Sequence, residues 1–183
     1  MKTRMKLKEL TIFNKYAKAC AEILRQTYPE DYDAPQSKET ILHLLKGKNR
    51  LFIAEESERV IAFVGVLRHV FPYAYQIEPL IVKEPFRGQG VGGRLIELIE
   101  FKLKDEGVRT LFITGPDTTG ETSLYNKDLF DGEGIVHHLS TVDYGHEALS
   151  FYTKRGYQVS GVIPEANGAG KPEIMLAKRI SQK

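Results

Sequence analysis

The stretch Leu80-Ile81-Val82-Lys83-Glu84-Pro85-Phe86-Arg87-Gly88-Gln89-Gly90-Val91-Gly92-Gly93-Arg94-Leu95 constrains the fold more than any other part of the chain. It joins an apolar strand signal to a short loop and a glycine-rich helix start. A strand aims the chain, and glycines let a ligand approach the backbone with no Cβ in the way. The helix start then presents unpaired N–H groups carrying partial positive charge, which suits a phosphate. The helix is signalled by Val91, Leu95, Ile96, Ile99 and Leu103 at spacings of three and four. Arg94, Glu97, Glu100, Lys102 and Lys104 fill its other face, and Gly107 stops it. The stretch encodes an anion-binding turn on a packed helix.

Two kinds of site use such a turn. Gly88-Gln89-Gly90-Val91-Gly92-Gly93 satisfies the dinucleotide pattern G-x-G-x-x-G, and Asp117 lies where a ribose-binding carboxylate would sit, roughly 20 residues beyond the turn. Against that reading, Lys83 to Arg87 separate Val82 from Gly88, whereas the dinucleotide fold turns sharply out of its strand, and the preceding strands read as a hairpin. Arg87-x-x-Gly90-x-Gly92, with Leu80-x-Val82 upstream and a long amphipathic helix downstream, resembles the acetyl-CoA motif of the GNAT N-acetyltransferases, Gln/Arg-x-x-Gly-x-Gly/Ala.

The 183 residues, 42% hydrophobic and 27% charged, are enough for one good core and short for two. A formal net charge of +2 offers no footing for nucleic acid or an anionic membrane as partner. Cys20 is the single cysteine, so no intramolecular disulfide forms, and its helical surroundings suit a small buried hydrophobe. Residues 1–16 lack the apolar run of a secretory signal, and no stretch reaches about 18 apolar residues. The expectation is a soluble, cytoplasmic protein.

Periodicity predicts a strand at Leu7–Phe13, a helix over 16–28 ended by Pro29, and a loop at Asp31–Pro35. Ser37 is expected to cap a second helix that carries Ile41, Leu42 and Leu45 and closes at Gly47. Leu51–Glu55 and Val60–Arg68 read as an antiparallel pair, with Tyr75–Val82 as the next strand. After the helix comes Val108–Thr114, placed parallel by the crossover. A helix at 145–155 and strands at Tyr157–Ile163 and Glu173–Lys178 complete the chain.

That order is also the GNAT order, so the resemblance extends over nearly the whole sequence. It implies an α/β (α+β) GNAT fold, a mixed, largely antiparallel central sheet with helices on both faces. One domain is expected over residues 1–183, with an acidic insertion at about 116–144. Ala148-Leu149-Ser150-Phe151-Tyr152-Thr153-Lys154-Arg155-Gly156-Tyr157 looks like the family's late helix, where a tyrosine at the place of Tyr152 faces the thioester sulfur. Read by itself, Tyr152 fits a core aromatic with a polar tip better, and only together with the glycine loop does the catalytic reading take precedence. The insertion holds Asp117, Glu121, Asp128, Asp131, Glu133 and Asp143 against Lys127. It reads either as a solvated surface or as a wall for a cationic acceptor.

The resemblance implies acetyl-CoA as co-substrate. Backbone N–H groups from Arg87 through Gly88, Gln89, Gly90, Val91, Gly92 and Gly93 would hold its pyrophosphate, and Leu80, Ile81 and Val82 would pair with pantetheine and offer an N–H to the oxyanion. Glu78, at the place of an acidic residue in some members, is a candidate base, directly or through water, and equally a structural or exposed charge. Tyr152 would return a proton to the sulfur. No metal is expected, since His43, His69, His137, His138 and His146 show no compelling ligand spacing.

Gly161 to Met175, with Thr122-Ser123-Leu124 and Asp128-Leu129, looks like GNAT proteins described as aminoglycoside 6′-N-acetyltransferase-like. The expected reaction is acetyl transfer to a primary amine, of a small polycation such as an aminoglycoside or polyamine. A protein or peptide N-acetyltransferase, a non-catalytic acyl-CoA-binding module and a dinucleotide oxidoreductase stay open as alternatives, as does a homodimer.

Overall fold

The computed structural model describes residues 5–143 and 147–181. The chain forms two compact units, one running to Arg109 and resuming at Ile180, the other Thr110–Arg179. In the first unit the apolar, β-branched runs pair as expected: β1 (Lys6–Leu10), β2 (Arg50–Glu56), β3 (Arg59–Arg68) and β4 (Ala74–Val82) form an antiparallel sheet in that order. β2 is buried from Leu51 through Glu55, so both faces of the strand must be covered. Leu51, Ile53, Phe63 and Ile81 share one core with Ala17, Cys20, Ile23 and Leu24 of α1 (Lys15–Thr27) and Ile41 and Leu44 of α2 (Ala34–Leu44). The opposite face meets α3 (Val91–Asp105), whose Val91, Leu95, Ile96, Ile99 and Leu103 are all buried, as their spacing requires. Burying each large aliphatic side chain contributes about 1.5–3 kcal/mol. Lys102 and Lys104 sit in the last turn of α3, where the helix dipole favours cations.

Several local expectations change. The first strand ends at Leu10, because Asn14 caps α1 by accepting from the N–H groups of Tyr16 and Ala17. The second helix is capped by Asp33 and not Ser37. Asp33 accepts from Gln36 N at 2.7 Å while Gln36 Oε1 accepts from Asp33 N at 2.8 Å, and Pro35 lies inside the first turn, where its missing N–H is not needed. Ser37 is instead buried within the helix, its hydroxyl donating to Ala34 O at 3.1 Å. Leu44 is the fully buried residue at the end of this helix, and Leu45 is partly buried against the same core.

The second unit is a three-stranded antiparallel sheet with β7 (Glu173–Arg179) between β5 (Thr110–Pro116) and β6 (Gln158–Ile163). The insertion is not a bare loop: it contains α4 (Gly134–Ser140) and buries Leu124, Leu129 and His138. Backbone bonds close it on the C-terminal turn, Asn126 N–H to Gly170 O at 2.8 Å and Asp117 N–H to Pro172 O at 2.9 Å. α5 spans Glu147–Thr153; Gly145 and His146, predicted as the start of this helix, and Tyr144, the last residue of the predicted insertion, lie outside the described residues. With helices packed on both faces of the first sheet and every pairing within each unit antiparallel, the fold is the mixed α/β class anticipated. Among the described residues no helix is long and apolar enough to cross a membrane.

The pairing of β3 with β4 breaks at one place. Val64 faces Leu80 and Val66 faces Ile77, so Gly65 alone opposes both Glu78 and Pro79. The extra residue makes a bulge, and Pro79 occupies it without forfeiting a ladder N–H. A Cβ on Gly65 would collide with the Glu78 carbonyl oxygen and lie 2.7 Å from the Leu44 methyl groups. Gly65→Ala should therefore destabilise the protein by about 1–3 kcal/mol, the range of overpacked cores. Urea unfolding is the measurement, and an unchanged midpoint would mean that the bulge has room to spare.

Candidate active site

β4 runs into the glycine-rich loop through a single 3₁₀ turn at Glu84–Phe86, not through the sharp exit of a dinucleotide fold. The antiparallel β3–β4 pair before it likewise departs from a βαβ unit. The loop braces itself: Arg87 Nε donates to Val82 O at 3.0 Å, and Gln89 Nε2 donates to Pro85 O at 2.8 Å. Gly88 and Gly90 have φ of +70° and +77°, conformations that side chains strain to adopt. No atom lies within 4 Å of a Cβ built at either position, so both open onto free space.

Gly90 is the N-cap of α3 and offers no side chain to cap it. The first helical bond runs from Arg94 N–H to Gly90 O, which leaves the N–H groups of Val91, Gly92 and Gly93 with no intrahelical acceptor. A 15-residue helix thus begins with oriented donors and a dipole on three buried residues, Val91, Gly92 and Gly93, behind the open space at Gly88 and Gly90. Such a start suits an anionic phosphate group in sign. Leu80, Ile81 and Val82 lie directly upstream in β4, with Ile81 buried and Leu80 and Val82 partly exposed.

Glu78 is exposed at the β4 bulge, where Gln76 Nε2 donates to its Oε2 at 2.7 Å. Tyr32 in the loop between α1 and α2 has its pKa raised by burial first and then by the negative charge of Glu78. Tyr152 belongs to the second unit, near the end of α5. Its ring is partly buried and meets Phe151 edge-on at 4.9 Å and Tyr157 at 5.5 Å, and its carbonyl accepts from the N–H groups of Arg155 and Tyr157. Packing therefore fixes the ring, whatever its hydroxyl does. Cys20 is inert in the first unit's core, where burial pushes its thiol up to about 12.

The carboxylates of the insertion divide into two groups. Asp117 is buried, and its two oxygens accept from the N–H groups of Gly120, Glu121 and Thr122 and from the Thr122 hydroxyl, at 2.7–2.9 Å. It is a turn-builder, available neither to a ribose nor to a cationic acceptor. Asp131 Oδ1 accepts from the N–H groups of Glu133 and Gly134 and from His138 Nε2 at 2.8 Å; the His138 bond is the main cause of its lowered pKa. Asp131, Glu133 and His138 bring possible ligand atoms within 4.8 Å of one another, which residue spacing did not suggest; the bonds present are those of a helix start. Glu121, Asp128, Glu133 and Asp143 keep some exposure. Asp128, Glu165, Lys127 and the exposed ring of Phe130 line a cleft of about 540 Å³ in the second unit, which contains Asp128 of the predicted acidic wall and none of the predicted catalytic or coenzyme-binding residues.

The Acetyltransferase (GNAT) family model matches residues 17–130. Among solved structures, an aminoglycoside 6′-N-acetyltransferase complexed with coenzyme A is 26% identical, with a TM-score of 0.88 over 97% of this chain and 98% of that one. The aminoglycoside 6′-N-acetyltransferase from Enterococcus faecium gives the same values. An aminoglycoside 6′-acetyltransferase type Ii, 24% identical with a TM-score of 0.75 over 97% of this chain and 99% of that one, shares the fold. No curated protein matches the sequence.

Two substitutions separate ligand-facing from structural positions. Gly90→Val strains the loop at its φ of +77°, yet should leave the core folded because its Cβ meets open space, and should lose acetyl-CoA binding by calorimetry; unchanged affinity in the folded variant would remove the loop from the site. Asp117→Ala should instead cost stability, about 1–3 kcal/mol for each buried donor left unpaired, seen as a lower unfolding midpoint. Full stability with weakened acceptor binding would return Asp117 to the acceptor site.

Proposed function

The chain belongs to the GNAT acetyltransferase family, and from that premise we propose that it moves the acetyl group of acetyl-CoA to a primary amine of a small polycation, an aminoglycoside or a polyamine. The observation that carries the coenzyme assignment is the uncapped start of α3 behind two left-handed glycines that face open space. The N–H groups from Arg87 to Gly93 hold the pyrophosphate in this reading, with the Arg87 guanidinium beside it. The backbone of Leu80 to Val82 pairs with pantetheine and directs an N–H at the oxyanion.

An alkylammonium with a reference pKa of about 10 must lose a proton before it can attack. Glu78, directly or through a water, takes that proton as the amine nitrogen bonds to the thioester carbon. The tetrahedral intermediate then breaks its C–S bond, Tyr152 protonates the departing thiolate, and the second proton that the nitrogen sheds on becoming an amide restores the Tyr152 phenol by way of solvent. Support for a polycationic acceptor comes from the two 26%-identical structures, both aminoglycoside 6′-N-acetyltransferases, and from the exposed carboxylates that remain in the insertion once Asp117 is excluded. Exposed ion pairs are each worth about 0–1 kcal/mol, so recognition of this kind is collective and sensitive to salt.

A thiol-release screen over aminoglycosides with a free 6′-amine, polyamines, simple monoamines and peptides with free N-termini tests the acceptor class. Polycations should react fastest and lose that advantage as salt rises. Preference for peptides would transfer the activity to a peptide N-acetyltransferase, and coenzyme binding without thiol release would leave an acyl-CoA-binding module. With the best acceptor, Tyr152→Phe should lower kcat by about 100-fold or more while sparing coenzyme affinity. An unchanged kcat would reduce Tyr152 to its ring packing.

A further inference from the structure

The Glu78 carboxylate is held by a chain of side chains that begins outside the strand. Gln76 and Glu78 are two residues apart in β4, which places them on one face, and Gln76 Nε2 lies 2.7 Å from Glu78 Oε2. Gln76 itself is only 9% exposed, so its amide must be satisfied on both ends. Its oxygen meets His69 Nε2 at 2.6 Å. His69 follows the last residue of β3, and the β3–β4 register, Leu67 opposite Gln76 and Arg68 opposite Tyr75, brings it back over the strand.

Donor and acceptor chemistry fixes every link. A carboxylate only accepts, so the Gln76 amide must turn its NH₂ toward Glu78, and its oxygen then faces His69. That oxygen also only accepts, so His69 must carry a hydrogen on Nε2. The reverse orientation of the amide would press two oxygens together at 2.7 Å.

We infer that Gln76 and His69 are positioning residues, which aim the carboxylate of Glu78 through the chain His69 Nε2–H to Gln76 Oε1 and Gln76 Nε2–H to Glu78 Oε2. The inference rests on the reading of Glu78 as the base. Glu78 is exposed and would otherwise sample many rotamers. The bulge opposite Gly65 sets its backbone, and the Gln76 amide holds one carboxylate oxygen. The other oxygen is then presented in one direction to the proton of the incoming ammonium. The chain does not relay protons; it reduces the orientational freedom of the group that accepts one.

The test uses Gln76→Met, which keeps the length without the amide, His69→Phe, which keeps a ring without the N–H, and His69→Gln, which restores a donor of similar reach. With kanamycin, an aminoglycoside carrying a 6′-amine, as acceptor, Gln76→Met should lower kcat by about 10- to 100-fold, the scale of a hydrogen bond to a charged group. Its KM for acetyl-CoA should stay within about twofold. His69→Phe should lower kcat by a smaller factor, and His69→Gln should recover most of the loss. In a Glu78→Gln background, Gln76→Met should cause no further loss, because the carboxylate that Gln76 orients is no longer there to take the proton.

An equal loss in that background would show that Gln76 acts elsewhere and overturn the inference. Normal kcat in Gln76→Met beside a crippled Glu78→Gln would overturn it while leaving Glu78 as base. Normal kcat in Glu78→Gln would remove the base and the inference with it. Should Gln76→Met fail to fold, the two variants at exposed His69 carry the kinetic test. Independently of any acceptor, the ¹⁵N spectrum of neutral His69 in the unmodified protein should show the Nε2–H tautomer; the Nδ1–H tautomer would overturn the chain.

Discussion

A helix that starts on glycine has no side chain with which to satisfy its first donors, and the structure leaves free space at that glycine and at Gly88 ahead of it. The N–H groups of Val91, Gly92 and Gly93 are oriented by α3, which is anchored by Leu95, Ile96, Ile99 and Leu103 against the sheet of the first unit. The apolar face of the helix thus does two jobs: it stabilises the fold and it fixes the direction in which partial positive charge is presented. The loop ahead of it is stiffened by its own side chains, Arg87 onto Val82 and Gln89 onto Pro85, so the donors are arranged before a ligand arrives.

The same economy governs β4. One missing Cβ, at Gly65, makes room for the extra residue in the facing strand, and the extra residue is part of the Glu78–Pro79 pair. Backbone geometry therefore sets where Glu78 stands, while the Gln76 amide sets how its carboxylate is turned. Residues Leu80 to Val82 follow immediately and resume regular pairing with β3. Strand, bulge and helix start lie within a short run of sequence, so one stretch of backbone positions both Glu78 and the uncapped donors of α3.

That concentration also explains what was legible in advance. The α3 face, the hairpin and the glycine loop are encoded by periodicity and backbone conformation, both local, and the amino acids alone suffice to locate them. Asp117 was misread because a carboxylate in a polar stretch looks solvated; only the closure of the turn onto Gly120, Glu121 and Thr122 reveals that it is buried. Ser37 yields the capping role to Asp33 because Pro35, read as the end of a loop, is tolerated in a first helical turn. The role of Gln76 was invisible for a different reason: its partner His69 reaches it across the hairpin, and the register there depends on a bulge that no alternation of residues announces.

Direct observation of the loop's backbone during binding tests the central claim most sharply. Amide ¹H–¹⁵N spectra recorded during titration with acetyl-CoA should show the largest displacements at Arg87 through Gly93, with the N–H protons of Gly90, Val91 and Gly92 moving in the direction of stronger hydrogen bonds. Smaller shifts should follow in Leu80, Ile81 and Val82. Saturable binding that leaves the amides of Arg87 to Gly93 unmoved would contradict the account, because the coenzyme would then be held without the helix start.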